Sequence, residues 1–126
     1  MPKVLIVDDE PHIRLLLEQT LEDLEDKGVE IITACNGKEA LEIIKKESPD
    51  IVYLDVMMPE TNGYDVCNAV KNELNLKNIY IIMLTAKGQE YDKKRGEDSG
   101  ADIYMTKPFN PDVIIAKTAS ILNIAL

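Results

Sequence analysis

The sequence predicts an α/β domain in which helices cover both faces of a parallel β-sheet. Five short runs rich in apolar and β-branched residues have the length and composition of strands: 4–7, 29–34, 50–56, 79–86 and 102–108. The segments that separate these runs repeat apolar residues at helical spacing. Strands that alternate with helices in this way form right-handed βαβ units, and such units make neighbouring strands parallel.

The first two predicted helices are defined by their apolar faces and by the residues that end them. The helix after the first strand ends at Gly28, a residue type that readily adopts the left-handed backbone beyond a helix. Its inner face is predicted to comprise Ile13, Leu16, Leu17, Leu21 and Leu24. A second helix, within the sequence NGKEALEIIKKES, stops before Pro49 because the residue preceding a proline disfavours helical backbone.

Three further helices are predicted in the second half of the chain. The helix over 63–74 is expected to bury Val66, Ala69, Val70 and Leu74. A marginally stable and mostly solvated helix is expected over 87–100, since Tyr91 is almost the only large apolar side chain in it. The last helix begins after Asn110, a residue type that caps helix N-termini.

Length, charge and cysteine content limit the classes of protein. A chain of 126 residues with 45% hydrophobic residues suits one folded domain, which we expect to span 1–126. Its 23 acidic residues against 14 lysines and arginines, a formal charge of −9, disfavour non-specific binding to nucleic acid or to anionic membranes. Cys35 and Cys67 form no CxxC pair, and no apolar run approaches the ~20 residues of a membrane span. We therefore expect a cytoplasmic domain.

Charged and polar residues stand at the carboxyl ends of four predicted strands. Asp8 and Asp9 follow the first strand, Asp55 lies in the third, Thr85 in the fourth and Lys107 in the fifth. Ligands of open α/β sheets bind beyond these strand ends. If the first and third strands are neighbours, three carboxylates share one crevice, and Mg²⁺ is a natural counter-ion for them. With a lysine and a hydroxyl added, the set has the parts of a phosphoryl-transfer site.

Four stretches in this order resemble the receiver domain of two-component response regulators: VLIVDDEP, IVYLDVMMPETNG, IIMLTA and GADIYMTKPF. The resemblance covers the whole chain. It implies the doubly wound, flavodoxin-like and CheY-like fold of five parallel strands in the order 2-1-3-4-5. It also implies a signalling phosphoacceptor, which is not an enzyme beyond its self-catalysed phosphotransfer and autodephosphorylation. The phosphoryl donor would be a sensor histidine kinase or a phosphotransfer protein.

The resemblance also implies which residues perform the phosphorelay chemistry. Asp55 would be the phosphoacceptor, and Lys107 would pair first with Asp55 and then with a phosphoryl oxygen. Thr85 would turn its hydroxyl toward the phosphoryl group, and Tyr104 would swing inward after it. The peptide bond between Lys107 and Pro108 would be cis, as is usual in this family.

The metal site is implied in the same way. Asp9 and Asp55 would bind Mg²⁺ directly together with the backbone carbonyl of Met57, and Asp8 would act mainly through water. Family members vary at the positions of Met57 and Lys87, which modulate hydrolysis of the phosphoryl group. Because an apolar Met57 offers no polar group to orient an attacking water, slow self-dephosphorylation is expected.

The implied readout surface is formed by the fourth predicted helix, the fifth strand and the last helix, and it carries Tyr91, Arg95 and Tyr104. A downstream protein would bind there. The chain ends about one helix after TKPF, which leaves no room for a DNA-binding output domain. We therefore expect either a stand-alone receiver or the N-terminal part of a longer regulator.

Three other classes of protein are compatible with parts of the pattern. A Mg²⁺-dependent phosphohydrolase that forms an aspartyl phosphate usually carries D-x-D at its first strand, whereas Asp8 and Asp9 are adjacent here. A flavin carrier on the same fold needs a phosphate loop rich in Ser, Thr and Gly, where this chain has acids. A receiver-like adaptor that never takes phosphate is disfavoured by the intact set of acids, threonine and lysine.

Overall fold

The computed structural model of the chain describes residues 1–86 and 97–126. Within those residues, parallel strands form one five-stranded sheet in the order β2-β1-β3-β4-β5. The strands are β1 (Lys3–Val7), β2 (Glu30–Ala34), β3 (Ile51–Asp55), β4 (Tyr80–Ala86) and β5 (Ile103–Lys107). The expected fold class and strand order are confirmed, and each strand begins and ends within one residue of its predicted bounds.

Helices of the described residues occupy segments between the strands and the segment after β5. They are α1 (Pro11–Thr20), α2 (Glu22–Glu25), α3 (Gly37–Glu47), α4 (Gly63–Asn68) and α5 (Pro111–Leu122). The first predicted helix is thus divided at Leu21, and α4 continues as a π-helical segment, Ala69–Glu73. Of the helix predicted over 87–100, residues 97–99 are helical, while 87–96 lies outside the described residues. None of the described helices is both long and apolar enough to cross a bilayer.

The core consists of two apolar layers because successive strand residues point to opposite faces of the sheet. One layer packs under α3 and α4, and its buried strand residues are Leu5, Val7, Ala34, Val52, Leu54, Ile81 and Met83. The other packs under α1, α2 and α5, and its strand residues are Val4, Ile6, Ile51, Tyr53, Ile82 and Leu84. Since both faces of the sheet are covered, the ends of the strands are the places where polar side chains gather.

Asparagine side chains begin three of the helices near the carboxyl edge of the sheet. Asn36 accepts a hydrogen bond from the Glu39 N–H at 2.8 Å at the start of α3. Asn62 does the same for α4. Asn110 accepts from the Asp112 N–H at 2.8 Å, which confirms the predicted cap of the last helix. These caps satisfy backbone donors that a helix N-terminus leaves unpaired.

The inner face predicted for the helix over 63–74 is wrong at its last position, although Val70 is buried as expected. Leu74 is 39% exposed, whereas Lys71 is 3% exposed. The cause is the π-helical turn, in which the Leu74 N–H donates to the Ala69 carbonyl five residues earlier. A wider turn rotates the following side chains around the helix axis, so an α-helical spacing places them on the wrong face. In α1, Leu16 is also exposed, at the margin of the predicted apolar face.

The buried Lys71 ties the end of α4 to the amino ends of β4 and β5. Its Nζ lies 2.9 Å from Asp102 Oδ2 and donates to the Lys77 carbonyl at 3.1 Å. The same Asp102 oxygen accepts the Ile81 N–H at 2.7 Å. A Cβ on Gly100, whose φ is +89°, would lie 2.9 Å from the Cβ of Lys71, so the chain approaches this helix closely.

Candidate functional site

Side chains from four strand ends converge at the carboxyl edge of the sheet. Asp8 follows β1, and Asp55 ends β3, the strand paired with β1. Lys107 ends β5, and Thr85 lies in β4 between β3 and β5. Asp8 is fully buried, Asp55 is 3% exposed and Lys107 is 8% exposed. The parallel topology therefore places three ionisable groups, distant in sequence, in one largely dehydrated crevice.

A single ammonium group joins the carboxylates of this crevice. Lys107 Nζ lies 2.7 Å from Asp8 Oδ2, 3.5 Å from Asp55 Oδ1 and 3.9 Å from Glu10 Oε1. Burial alone would lower the pKa of Lys107, but its hydrogen bond to Asp8 and the surrounding carboxylates raise that pKa above its usual value. Lys107 therefore stays cationic.

Both carboxylate oxygens and the backbone carbonyl of Asp8 accept hydrogen bonds. Its Oδ1 accepts the Glu10 N–H at 2.9 Å, while its Oδ2 accepts from Lys107. Its backbone carbonyl accepts a 2.7 Å hydrogen bond from the Arg14 guanidinium. These bonds fix the loop between β1 and α1, so the acids in that loop have defined positions relative to Lys107.

Among the acids that the structure describes, Asp55 has the most strongly shifted pKa. Burial, followed by the charge of the neighbouring Asp8, raises the pKa of Asp55 to about 7. Lys107 and the Met57 N–H, which donates to Asp55 Oδ1 at 3.3 Å, act in the opposite direction. A carboxylate that is stripped of water and surrounded by anions is a stronger base and nucleophile than a solvated one.

The backbone after Asp55 is set by the start of α4. Gly63 N–H donates to the Val56 carbonyl at 2.9 Å. A Cβ at position 63 would lie 2.5 Å from the Asp55 carbonyl oxygen and 2.9 Å from the Val56 Cα, so only glycine fits. This close approach holds the loop over 56–62 against the end of β3.

Thr85 and Tyr104 take different positions at the β4–β5 side of the site. The Thr85 side chain is buried, and its Oγ1 donates to the Met105 carbonyl at 3.4 Å, across the β4–β5 pair. Tyr104, which precedes Met105 in β5, is 51% exposed. In this structure the threonine hydroxyl is thus directed toward β5, and the tyrosine ring lies at the surface.

The residues at this edge fit a hard divalent cation. Asp8, Asp9 and Glu10 each place a carboxylate oxygen so that the three oxygens lie within 4.8 Å of one another. Asp55 contributes a further acid, which Lys107 links to Asp8. In the described part of the chain, the Lys107 ammonium alone does not neutralise this many carboxylates, and carboxylate oxygens are the ligands that Mg²⁺ prefers.

The structure brings most of the predicted site residues together. Asp8, Asp55 and Lys107 share one crevice, Thr85 lies at the neighbouring end of β4, and Asp9 is exposed beside Asp8 in the β1–α1 loop. The peptide bond between Lys107 and Pro108 is cis, as expected. Three of the predicted residues, Lys87, Tyr91 and Arg95, lie outside the described part of the chain.

Glu10 and Arg14 are not among the residues that the sequence predicts for the site, although both contact it. Glu10 belongs to the acidic run that follows the first strand, and it lies one helical turn before Arg14. The Arg14 N–H donates to the Glu10 carbonyl at 3.2 Å in the first turn of α1. The four-residue spacing of Glu10 and Arg14 is visible in the sequence. The hydrogen bond from Arg14 to the Asp8 backbone carbonyl is not, because any residue type has a backbone carbonyl.

The two cysteines differ in exposure, and both are free thiols. Cys35 is exposed directly after β2, the strand that flanks β1. Cys67 is buried in α4, where its Sγ donates to the Ser99 carbonyl at 3.3 Å. Burial raises the pKa of the Cys67 thiol.

Comparison with known sequences identifies one family. The family described as "Response regulator receiver domain" matches residues 4–119. The "Probable transcriptional regulator ycf27" of Porphyra purpurea is 47% identical over 121 residues, covering 96% of this chain and 47% of the relative. The "Alkaline phosphatase synthesis transcriptional regulatory protein PhoP" of Bacillus subtilis is 44% identical, covering 96% of this chain and 48% of the relative. The chain spans about half the length of these relatives.

Solved structures give the same result. The chemotaxis protein CheY4 of Vibrio cholerae has a TM-score of 0.82 and 36% identity, with 96% of this chain and 98% of that chain covered. A CheY-like response regulator receiver domain protein of Methanospirillum hungatei has a TM-score of 0.79 and 34% identity, with 97% and 98% covered. These matches favour a receiver over the phosphohydrolase, flavin-carrier and adaptor alternatives.

Proposed function

The chain belongs to the response regulator receiver family, a family of two-component signalling phosphoacceptors, and on that basis we propose that Asp55 is its phosphoacceptor. The observation that supports this assignment is the position of Asp55 at the end of β3. It is almost fully buried, its pKa is raised by burial and by Asp8, and Lys107 Nζ is 3.5 Å away. The donor would be the phosphohistidine of a sensor kinase or phosphotransfer protein.

The proposed transfer exchanges one bond to phosphorus for another. A carboxylate oxygen of Asp55 attacks the phosphorus, the P–N bond of the phosphohistidine breaks, and its electron pair returns to the histidine nitrogen. Lys107 moves its hydrogen bonds from the carboxylates to a phosphoryl oxygen and so keeps positive charge where negative charge develops. Thr85 exchanges the weak 3.4 Å hydrogen bond to Met105 for one to the phosphoryl group.

The residues proposed to hold Mg²⁺ are Asp9, Asp55 and the backbone carbonyl of Met57, with Asp8 acting through water. When bound, the metal would offset the charge of the carboxylates and of the incoming phosphoryl oxygens. The observation that supports this set is that, among the described residues, the carboxylates at this edge outnumber the ammonium group of Lys107 that contacts them. Both oxygens of Asp8 already accept hydrogen bonds, which agrees with an indirect role for that residue.

Loss of the phosphoryl group by hydrolysis is proposed to be slow. Water must be oriented beside Asp55, and Met57, two residues further on, is 54% exposed and has no hydrogen-bonding side chain to do so. A phosphoprotein lifetime well beyond seconds is expected in pulse-chase mass spectrometry. Decay within a few seconds would contradict this part of the proposal.

The proposed output is a change at the surface around β5 and α5. Thr85 and Tyr104 lie on adjacent strands, so a hydroxyl that leaves the β5 backbone can alter the packing of the exposed tyrosine. A downstream protein would bind this surface, with Tyr91 and Arg95 included. The whole of 1–126 would act as one receiver domain in the cytoplasm, where its kinase partner presents the phosphohistidine.

The deciding experiment is phosphorylation with a small donor in the presence of Mg²⁺. Acetyl phosphate should add one phosphoryl mass to the native chain and none to Asp55→Asn, as read by intact mass spectrometry. Asp23→Asn, which removes an acid of α2 away from the site, serves as the matched control and should be phosphorylated like the native chain. An unmodified native chain, or equal modification of Asp55→Asn, would refute the assignment.

A further inference from the structure

Glu10 occupies a position at the site that the proposed chemistry does not use. Its Oε1 lies 3.9 Å from Lys107 Nζ, and its Oε2 lies 3.3 Å from His12 Nε2. Its backbone N–H is held by Asp8 Oδ1 at 2.9 Å, and its carbonyl accepts the N–H groups of Ile13 and Arg14. The loop therefore fixes where this side chain starts, although the carboxylate is not a deeply buried group.

Glu10 differs from the other carboxylates around Lys107 in its exposure. The side chain of Glu10 is 49% exposed, while those of Asp8 and Asp55 are 0% and 4% exposed. Lys107 Nζ contacts all three. Among the described residues around this ammonium, Glu10 thus places a negative charge on the solvent side, where a phosphodonor must enter.

The distances show that this charge is close enough to act on a donor. Glu10 Oε1 and Asp55 Oδ1 both contact the same ammonium, so these oxygens lie within about 7.4 Å of each other, just under the Debye length of ~8 Å at physiological ionic strength. Lys107 offsets only part of the charge, because it shares its three N–H donors among buried acids. Among the described residues, His12 is a further basic group in contact with the Glu10 carboxylate, and the Arg14 guanidinium binds the nearby Asp8 carbonyl.

We propose that Glu10 determines donor specificity: its carboxylate slows phosphoryl transfer from free donors in proportion to their negative charge. The inference rests on the proposed function of Asp55 and adds the chemical class of donor that the site disfavours. A dianionic acyl phosphate meets more repulsion than a donor whose leaving group carries a proton. A donor held on a protein surface escapes most of this penalty, because contacts elsewhere hold it in place.

Two small donors that differ by one charge test the proposal. Acetyl phosphate enters as a dianion, its P–O bond breaks and acetate leaves as Asp55 is phosphorylated. Phosphoramidate enters with one negative charge less, its P–N bond breaks and ammonia leaves. The two second-order rate constants are measured with saturating Mg²⁺. Glu10→Gln should raise the ratio of the acetyl phosphate rate constant to the phosphoramidate rate constant roughly two- to threefold. This is the effect of one charge at this distance in a water-like medium.

The controls separate charge from structure. Glu10→Asp keeps the charge and should restore the native ratio of the two rate constants, while Glu22→Gln on α2 changes net charge equally and should leave the ratio unchanged. The difference between donors should shrink at about 1 M salt, where screening acts within ~3 Å. If the native chain is phosphorylated but Glu10→Gln has the same ratio of rate constants as the native chain, only the proposal on Glu10 is overturned. If the native chain takes no phosphoryl group from either donor, the function proposed for Asp55 is overturned as well.

Discussion

Asp55 combines its proposed role as phosphoacceptor with an energetically unfavourable position in the fold. An aspartate carboxyl group ordinarily has a pKa of 3.8, and burial together with Asp8 raises the pKa of Asp55 to about 7 in the folded chain. Because the folded state holds this proton more tightly, the group stabilises the fold most below about pH 4. That contribution is lost as the pH rises toward 7, where the folded carboxyl ionises.

The first prediction follows from this pKa shift. Without divalent metal, Asp55→Asn should be more stable than the native chain by about 1–2 kcal/mol near pH 8, since the neutral amide avoids a buried charge. The difference should disappear near pH 4, where both side chains are neutral. Urea denaturation in the presence of a chelator measures it. A mutant less stable than the native chain at high pH would contradict the pKa assigned to Asp55.

Lys107 provides the second residue-level prediction. Lys107→Met removes the one ammonium in contact with Asp8 and Asp55 among the described residues, so the pKa of Asp55 should rise above its value of about 7. Carboxyl-carbon NMR of the metal-free protein follows this titration directly. Lys38→Met, in the exposed first turn of α3, is the control and should leave the Asp55 pKa unchanged.

The elements around the site add constraints that single residues do not show. At Gly63, α4 begins so close to β3 that a methyl group would collide with the Asp55 carbonyl. Gly63→Ala should therefore lower the free energy of unfolding by about 1–3 kcal/mol and also weaken Mg²⁺ binding, because the loop over 56–62 must move. Gly28→Ala, at a φ of +91° with open space around it, should destabilise the fold without changing Mg²⁺ affinity in calorimetry.

The buried Lys71 joins three elements, and its removal should be costly. Lys71→Ala should lower the free energy of unfolding by about 2–3 kcal/mol, because Asp102 loses its ammonium partner and α4 loses packing against Gly100. Lys71→Met keeps the aliphatic stem, so its free energy of unfolding should fall less than that of Lys71→Ala. A double-mutant cycle with Asp102→Asn, read by urea denaturation, separates the ion pair from the packing. No coupling between the two positions would contradict this account.

The elements that the sequence predicts correctly are those with a repeated physical signal. The strands agree within one residue, because buried parallel strands are continuous apolar runs. The π-helical turn after Asn68 escapes prediction, since a single inserted residue breaks the 3.6-residue period without any marker in residue type. As a result, Leu74 is assigned to the core although it is exposed, and the burial of Lys71 is not foreseen.

The site is predicted through topology and resemblance together. Strand ends indicate Asp8, Asp55 and Lys107, because parallel strands bring their carboxyl ends to one edge. Which acid lies nearest the ammonium is not accessible from the sequence, and the structure gives Asp8 at 2.7 Å ahead of Asp55 at 3.5 Å. Such differences of less than an ångström depend on side-chain packing. Residue type and spacing in the sequence do not reveal that packing.

At the scale of the whole molecule, metal binding and folding should be coupled. Since the acids at the carboxyl edge repel one another in the folded chain, Mg²⁺ should raise the melting temperature. At a free Mg²⁺ concentration about 100 times Kd, the free energy of unfolding should increase by roughly 2.7 kcal/mol. The gain should be larger near pH 8 than near pH 5, because the ligands must be deprotonated. Equal shifts at both pH values, or with NaCl of matched ionic strength, would argue against a site at Asp55.

The unequal exposure of the two thiols makes the unaltered chain suitable for spectroscopic labelling. A maleimide dye or spin label should react with Cys35 at the surface and spare Cys67, which is enclosed in α4 with a raised pKa. Cys35 directly follows Ala34, whose carbonyl accepts the Asp8 N–H at 3.2 Å. A probe attached there sits one strand from the acidic crevice, so occupancy of that crevice becomes observable in real time without engineering the protein.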